Sequence, residues 1–209
     1  MKKNKELKIV CIAVVILCFC EAGTLFLRPA LSPITTLAFI RSAQIIFLIL
    51  LLILTPDGFK FAGLSKAKVY SGFKTGLIWS GLFGIAAFMT GFILYLTGFT
   101  PLQLIHSNYP KDNLILFFLT GGLISPIAEE IFFRGIFYSF LRRRGILTAL
   151  FITTAVFALF HLSNGGLPIT QIMGGLIFAL SFEYSKSLVT PIVIHVLGNL
   201  AIFSIALIV

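Results

Sequence analysis

The sequence is short of charge and of long polar stretches. Only 11% of its 209 residues are charged and its mean hydropathy is +1.07, whereas soluble domains carry roughly 25% charged residues. This scarcity excludes an ordinary soluble domain and favours a chain whose apolar segments cross a bilayer. Because spanning helices of about 20 residues use up most of this length, we expect one integral-membrane domain over residues 1–209.

Acidic residues are the scarcer of the two charge types. Seven Asp and Glu stand against 16 Lys and Arg, which gives a net charge of +9. The basic residues fall in short clusters between apolar segments, where they report orientation against anionic lipid. We therefore expect a lipid bilayer around the protein and no nucleic-acid partner.

Cysteine is limited to Cys11, Cys18 and Cys20, all in the first apolar segment, with no CxxC pair and no histidine nearby. This pattern excludes a disulfide framework and a zinc finger. We expect the three thiols to be apolar packing residues, as unpaired cysteine commonly is.

Long apolar runs separated by turns predict an all-α, polytopic membrane protein of about seven transmembrane helices. A range of six to eight stays open, because the basic connector after the second span can insert, and the long fourth run can form two helices. The predicted spans are Leu7–Leu27, Ile34–Leu54, Ser71–Leu96, Leu114–Leu141, Ile146–His161, Pro168–Tyr184 and Leu188–Ile208.

Charge placement orients these spans. With the N-terminus in the cytoplasm, twelve Lys and Arg lie in inner segments, against only Arg28 and Lys111 in outer ones. The twelve are Lys2, Lys3, Lys5, Lys8, Lys60, Lys66, Lys68, Lys74, Arg142, Arg143, Arg144 and Lys186. An excess of basic residues on inner loops is the positive-inside pattern, so we expect a cytoplasmic N-terminus.

Residue spacing gives three local expectations. The basic connector Thr55–Tyr70 is predicted to form an interfacial helix with a cationic side. Small residues recur every four positions along the third span and predict a face for close helix packing; they are Gly72, Gly76, Ser80 and Gly84. The polar loop Thr97–Asn113 is expected to hold His106 as a solvated residue.

The first two spans each carry one charge at a comparable distance from the turn that joins them. Glu21 and Arg41 both lie about seven residues from that turn. With a rise of about 1.5 Å per residue, the two side chains reach similar depth in antiparallel helices. A structural ion pair between them is predicted.

The most unusual segment is Ala128–Gly135, which places Glu129, Glu130 and Arg134 in an otherwise apolar span. An ionisable group near mid-membrane costs a few kcal/mol, so such groups usually face a protein interior or a wet cavity and often mark function. Just upstream, Pro126 lacks a backbone donor and predicts a kink or break in the fourth span.

Later spans supply further polar residues at helical spacing. Phe157 and His161 are four residues apart at the end of the fifth span, and His195 and Asn199 are four apart in the seventh. Because residues i and i+4 share a helix face, both histidines and the amide can converge with the carboxylates on one cavity at mid-depth.

Such a set of groups can activate water. A carboxylate can take a proton from water, imidazoles can share that proton, and an amide can donate to a developing oxyanion. Arg134 can pair with Glu130 on one helix face, which leaves Glu129 the reactive role. No Ser or Cys stands at a clearly activated spacing, so the pattern favours an activated-water hydrolase over a covalent one.

A metal is a separate question. Glu129, His161 and His195 are residue types that bind zinc with one position left for water. The compact HExxH motif is absent, and these ligands would come from three helices. Two alternatives stay open from the sequence: a site that binds Zn2+ and a site that needs no cofactor.

Three short motifs follow one another in the last four spans. They are Glu129-Glu130-x-x-x-Arg134, Phe157-x-x-x-His161 and His195-x-x-x-Asn199. In this order they resemble the signature of the CPBP family of intramembrane proteases. That family includes CAAX prenyl endopeptidases of the Rce type and bacterial Abi proteins linked to bacteriocin processing or self-immunity. The resemblance covers a motif-bearing core of about residues 113–205.

The resemblance implies a membrane endopeptidase, either metal-dependent or a metal-independent glutamate protease. Its implied site has Glu129 and His161 activating water, His195 and Asn199 holding the oxyanion, and Glu130 and Arg134 in support. The implied partner is a peptide or protein substrate, either prenylated or a bacteriocin leader. The implied location is the bacterial plasma membrane.

Two other functions fit the same residues. A non-catalytic immunity or scaffold protein would use the polar cluster to hold its helices or bind a partner. A proton-coupled transporter would use intramembrane Glu and His as a proton relay. The lack of detectable inverted repeats counts against the transporter.

Overall fold

A computed structural model describes residues 2–98, 113–162 and 168–207. Throughout these ranges the ordered elements are helices and there is no β-strand, which confirms the all-α prediction. In chain order the helices are α1 (Lys2–Ala22), α2 (Pro33–Leu54), α3 (Val69–Leu96), α4 (Leu114–Arg144), α5 (Ile146–Leu159), α6 (Ile169–Ser185) and α7 (Val189–Ala206). A short helix, Thr24–Leu27, continues α1.

Five of these seven helices, α1 to α4 and α7, are long and apolar enough to cross a membrane within the described part of the chain. Helices α5 and α6 are shorter, with 14 and 17 residues. A 14-residue helix rises about 21 Å, which is less than the roughly 30 Å of hydrocarbon in a bilayer. The protein is therefore a polytopic helical membrane protein in which α5 falls short of a full span.

The predicted spans lie close to the observed helices, with one difference that concerns the site. Helix α5 ends at Leu159, so His161 lies in the turn after the helix. Most of the predicted loop Thr97–Asn113, including His106, falls outside the described residues.

The prediction of an interfacial helix between α2 and α3 was wrong. This connector holds only the four-residue helix Gly58–Phe61 and one 3-10 turn, Lys66–Lys68. Gly63 has a φ of 74° and ends the helical turn, because such a left-handed conformation favours glycine and cannot continue a helix. The connector instead docks on the α6–α7 turn, where the backbone N–H of Leu188 donates to the carbonyl of Gly63.

Charged side chains tie the helix ends together at the side predicted to be cytoplasmic. Arg143 pairs with Glu6 and so joins the end of α4 to α1. Glu183 on α6 accepts hydrogen bonds from Arg142 Nε at 2.7 Å and from Tyr138 Oη at 3.0 Å. These contacts hold the α4–α5 turn against α1 and α6.

The predicted small-residue face of α3 is used over half its length. Gly72 and Gly76 are buried against α7, whereas Gly84 has open space where a side chain would be. A Cβ at position 76 would lie 2.7 Å from Cβ of Val193 and 3.0 Å from the carbonyl oxygen of Thr190. Only a glycine permits this approach of α3 to α7.

This contact predicts opposite effects for two matched substitutions. Gly76→Val should lower stability by about 1–3 kcal/mol, because overpacking forces the backbones apart. Gly84→Val should leave stability unchanged, since nothing lies within 4 Å of the added carbon. Thermal unfolding of both variants in the same detergent measures the difference, and equal melting temperatures would contradict the packing.

Candidate active site

Helix α4 carries its two adjacent carboxylates on an α-helical turn between two π-helical stretches. The turn is Ser125–Glu130, with π-helix over Thr120–Ile124 before it and Ile131–Tyr138 after it. Of the predicted kink or break at Pro126, the break is absent, because the helix runs continuously from 114 to 144. Pro126 is the second residue of the α-helical turn, and π-helical stretches like those on either side of it are frequent at functional sites.

Equal spacing from one turn brings Glu129 to the level of His161. Glu129 lies fifteen residues before Arg144, and His161 lies fifteen residues after Ile146. Because α4 and α5 are joined by the single residue Gly145, the chain travels similar distances up both sides of this hairpin. The short length of α5 thus leaves His161 level with Glu129, partway along α4.

Glu130 and Arg134 form the predicted ion pair, and both side chains are fully buried. Arg134 Nη1 donates to Glu130 Oε1 at 2.9 Å, and its Nη2 donates to the carbonyl of Gly175 on α6 at 3.1 Å. The same Oε1 lies 2.9 Å from Nδ1 of His195 on α7. The Glu130–Arg134 pair therefore links α4 to α6 through Arg134 and to α7 through Glu130.

Aromatic rings enclose this ion pair. The Arg134 guanidinium lies 4.9 Å from the ring centre of Phe157 and 5.2 Å from that of Phe178. Phe178 also stacks on the His195 ring at 4.4 Å and 21°. Cation–π contacts in a desolvated site are worth about 2 kcal/mol, so the rings stabilise a charge that lipid could not solvate.

Glu129 faces the other side of the same cluster. Its Oε2 lies 4.0 Å from His161 Nε2 and 3.9 Å from His195 Nε2, and its Oε1 lies 3.8 Å from Arg41 Nη2. The Glu129 side chain is 12% exposed and that of His161 is 31% exposed. The cluster is therefore fully buried at Glu130 and partly exposed at His161.

The hydrogen bonds of the histidines indicate which ring nitrogen carries the proton. His195 Nδ1 faces the carboxylate of Glu130, and His161 Nδ1 lies 2.8 Å from the carbonyl of Phe157. Carboxylates and carbonyls accept, so each Nδ1 donates. In the neutral rings each Nε2 then has a lone pair directed into the cluster.

Asn199 lies one turn after His195 but contacts the backbone of α4. Its Nδ2 donates to the carbonyl of Gly121 at 2.9 Å. In the π-helical pattern, where Ser125 N–H bonds to the carbonyl of Thr120, the next partner of Gly121 is Pro126, which has no N–H. Asn199 supplies the missing donor, and its amide has a second N–H to spare.

The structure brings Glu129, His161 and His195 together, and Glu130 and Arg134 lie directly behind them. Within the described residues Asn199 makes its hydrogen bond to Gly121 and none to either carboxylate. Three participants were missed from sequence: Arg41, Phe178 and the Gly175 carbonyl. Arg41 stands out in the sequence as a lone cation inside an apolar span. Its predicted pairing with Glu21 already accounted for this charge, so no second carboxylate partner was expected.

The candidate zinc ligands do not form a metal site in the described part of the chain. No group of three or more His, Cys, Asp or Glu there has positions that could hold a metal ion. The two Nε2 atoms instead lie 3.9 and 4.0 Å from one oxygen of Glu129.

Comparison with known families gives one match, which covers most of the last four helices. Residues 111–201 match the family described as type II CAAX prenyl endopeptidase Rce1-like. This part of the chain is similar to that family. The Rce1-like segment contains all three sequence motifs, while Arg41 lies outside it. No curated protein and no solved structure gives a significant match.

The Rce1-like match confirms the resemblance drawn from the motifs. A family of endopeptidases implies a peptide or protein substrate, and the apolar helices imply an integral-membrane setting. The roles of individual residues depend on the geometry described above.

Proposed function

We propose that the protein is an intramembrane endopeptidase that hydrolyses a peptide bond with water activated at Glu129. The observation that carries this proposal is that His161 Nε2 and His195 Nε2 both lie within 4.0 Å of Glu129 Oε2. These separations exceed a hydrogen bond and suit a water molecule held between the three groups. The Rce1-like match of residues 111–201 supports the same reaction.

The reaction balances with these side chains alone. Glu129 Oε2 takes a proton from the water, with His161 Nε2 as the second acceptor, and the water oxygen attacks the peptide carbonyl. The tetrahedral oxyanion accepts from the remaining N–H of Asn199 and from the Nε2–H of His195 in the imidazolium form of that ring, which brings its second proton into the reaction and keeps it throughout. The C–N bond then breaks, and the proton that Glu129 took from the water passes to the leaving amine, which restores the carboxylate.

Glu130 and Arg134 support this chemistry without touching the substrate. Glu130 accepts from His195 Nδ1 and so fixes the orientation of the ring that faces Glu129. The Arg134 charge in turn compensates Glu130 inside a fully buried site.

The substrate we propose is a protein segment delivered within or beside the membrane, and the prenylated tail named by the family is the first candidate. The partly exposed side of His161 is the entrance that the geometry offers. The basic inner segments and the resemblance to bacterial relatives support an enzyme of the bacterial plasma membrane with a cytoplasmic N-terminus.

Purified protein in liposomes, incubated with prenylated, unprenylated and leader-type peptides, tests this proposal by mass spectrometry of the products. We expect one fragment pair of complementary mass from at least one peptide class. No cleavage of any class by correctly folded protein would favour the non-catalytic scaffold.

His161→Ala should lower the initial rate about 10²- to 10⁴-fold, because one of the two groups that take the water proton is lost. The side chain is 31% exposed, so the variant should fold as the wild type does. Rate and thermal unfolding are measured on the same preparation. A wild-type rate in His161→Ala would contradict the role of this ring.

A further inference from the structure

The Glu129 carboxylate has a neighbour that comes from outside the Rce1-like segment. Arg41 of α2 places its Nη2 3.8 Å from Glu129 Oε1. The family match begins at residue 111, so it assigns nothing to the first helical hairpin. The contact makes α2 part of the wall of the candidate active site.

Two further side chains hold the Arg41 guanidinium in this direction. Arg41 Nη1 donates to Gln44 Oε1 at 2.8 Å, and Gln44 Nε2 donates to Glu21 Oε1 at 3.0 Å. The predicted pair between Arg41 and Glu21 is also present, at 3.4 Å. Gln44 is 1% exposed, so the middle of this chain of contacts is buried between α1 and α2, whereas Glu21 at its end is 52% exposed.

The two carboxylate oxygens of Glu129 face different groups. Oε1 faces the Arg41 cation, while Oε2 faces the two imidazole rings. At 3.8 Å, Arg41 supplies a counter-charge without a close hydrogen bond. Such a contact compensates a carboxylate at membrane depth and fixes its rotamer, yet leaves Oε2 free for a proton from water.

We propose that Arg41 is a positioning residue that orients Glu129 toward the two histidines. The inference rests on the proposed peptidase function and extends it, because it makes the N-terminal hairpin necessary for full activity. Arg41 does not touch the substrate in this account. Its loss should therefore lower turnover and leave substrate affinity nearly unchanged.

Kinetics of Arg41→Met and Arg41→Lys in liposomes test this role. Arg41→Met should lower kcat about ten- to a hundredfold, the range expected for a misplaced catalytic group, with KM unchanged. Arg41→Lys should recover most of kcat, because it restores the charge. The matched control is Arg28→Met, which changes the same residue type in the exposed turn before α2. Wild-type kcat in Arg41→Met would overturn the proposal and leave the peptidase function intact.

A thermal double-mutant cycle separates this inference from the failure of any activity assay. In the wild type, Arg41→Met removes the counter-charge of Glu129, so the melting temperature should fall. In a Glu129→Gln background that charge is absent, and the same substitution should cost less. Equal losses of melting temperature in both backgrounds would overturn the proposal even if no substrate is ever found.

Discussion

Glu129→Gln should lower the rate of peptide cleavage by about 10²- to 10⁴-fold, the usual contribution of a positioned general base. The amide keeps the size of the side chain but cannot take a proton from water. His161 and His195 stay in place, because their Nδ1 atoms bond to Phe157 and Glu130 instead. The variant should therefore bind substrate with nearly unchanged KM.

The matched control for this substitution is Asp57→Asn. It makes the same change from carboxylate to amide in the exposed connector, where Asp57 has a φ of 60° that asparagine tolerates. Asp57→Asn should cleave at the wild-type rate. An equally active Glu129→Gln would remove Glu129 from the reaction.

Arg134→Met should produce the largest loss of stability, about 3–5 kcal/mol, because it strands the Glu130 carboxylate at full burial. The Gly175 carbonyl would lose its donor as well. Adding Glu130→Gln should recover part of the loss, since the stranded charge is removed. Thermal unfolding and expression of both variants measure these effects.

Arg142→Met is the control on the same helix. Its partner Glu183 is 17% exposed and Arg142 is 41% exposed, so this pair is partly solvated. Such pairs contribute about 0–1 kcal/mol. If Arg142→Met and Arg134→Met cost the same, the buried cluster is not the anchor of the last four helices.

Contacts between near neighbours in the sequence were the most predictable. The pairing of Glu130 with Arg134 follows from i,i+4 spacing, and it is present in the structure. The pair of Glu21 and Arg41 follows from equal distances to one turn, and it too is present. In both cases the helix geometry leaves little choice.

The route by which His161 reaches Glu129 was less predictable. The spacing from Phe157 suggested a shared helix face, but α5 ends at Leu159. The His161 ring nevertheless lies beside Glu129, because its Nδ1 bonds to the carbonyl of Phe157. A helix end depends on packing and capping more than on apolar pattern. The closeness of His161 to Glu129 was therefore predictable, while the end of α5 before His161 was not.

Contacts between distant segments could not be predicted. Arg41 and Glu129 are far apart in the sequence, and no spacing rule relates α2 to α4. The bond from Asn199 to Gly121 arises from a π-helical register that hydrophobic periodicity does not reveal. Both contacts required the packed structure.

The central claim is that peptide hydrolysis occurs at the Glu129 cluster. Its most direct measurement is the product spectrum of one peptide with wild-type protein and with Glu129→Gln, side by side in the same liposomes. Two complementary fragments from the wild type and intact peptide from the folded variant are the predicted result. The same fragments at the same rate from both proteins would contradict it.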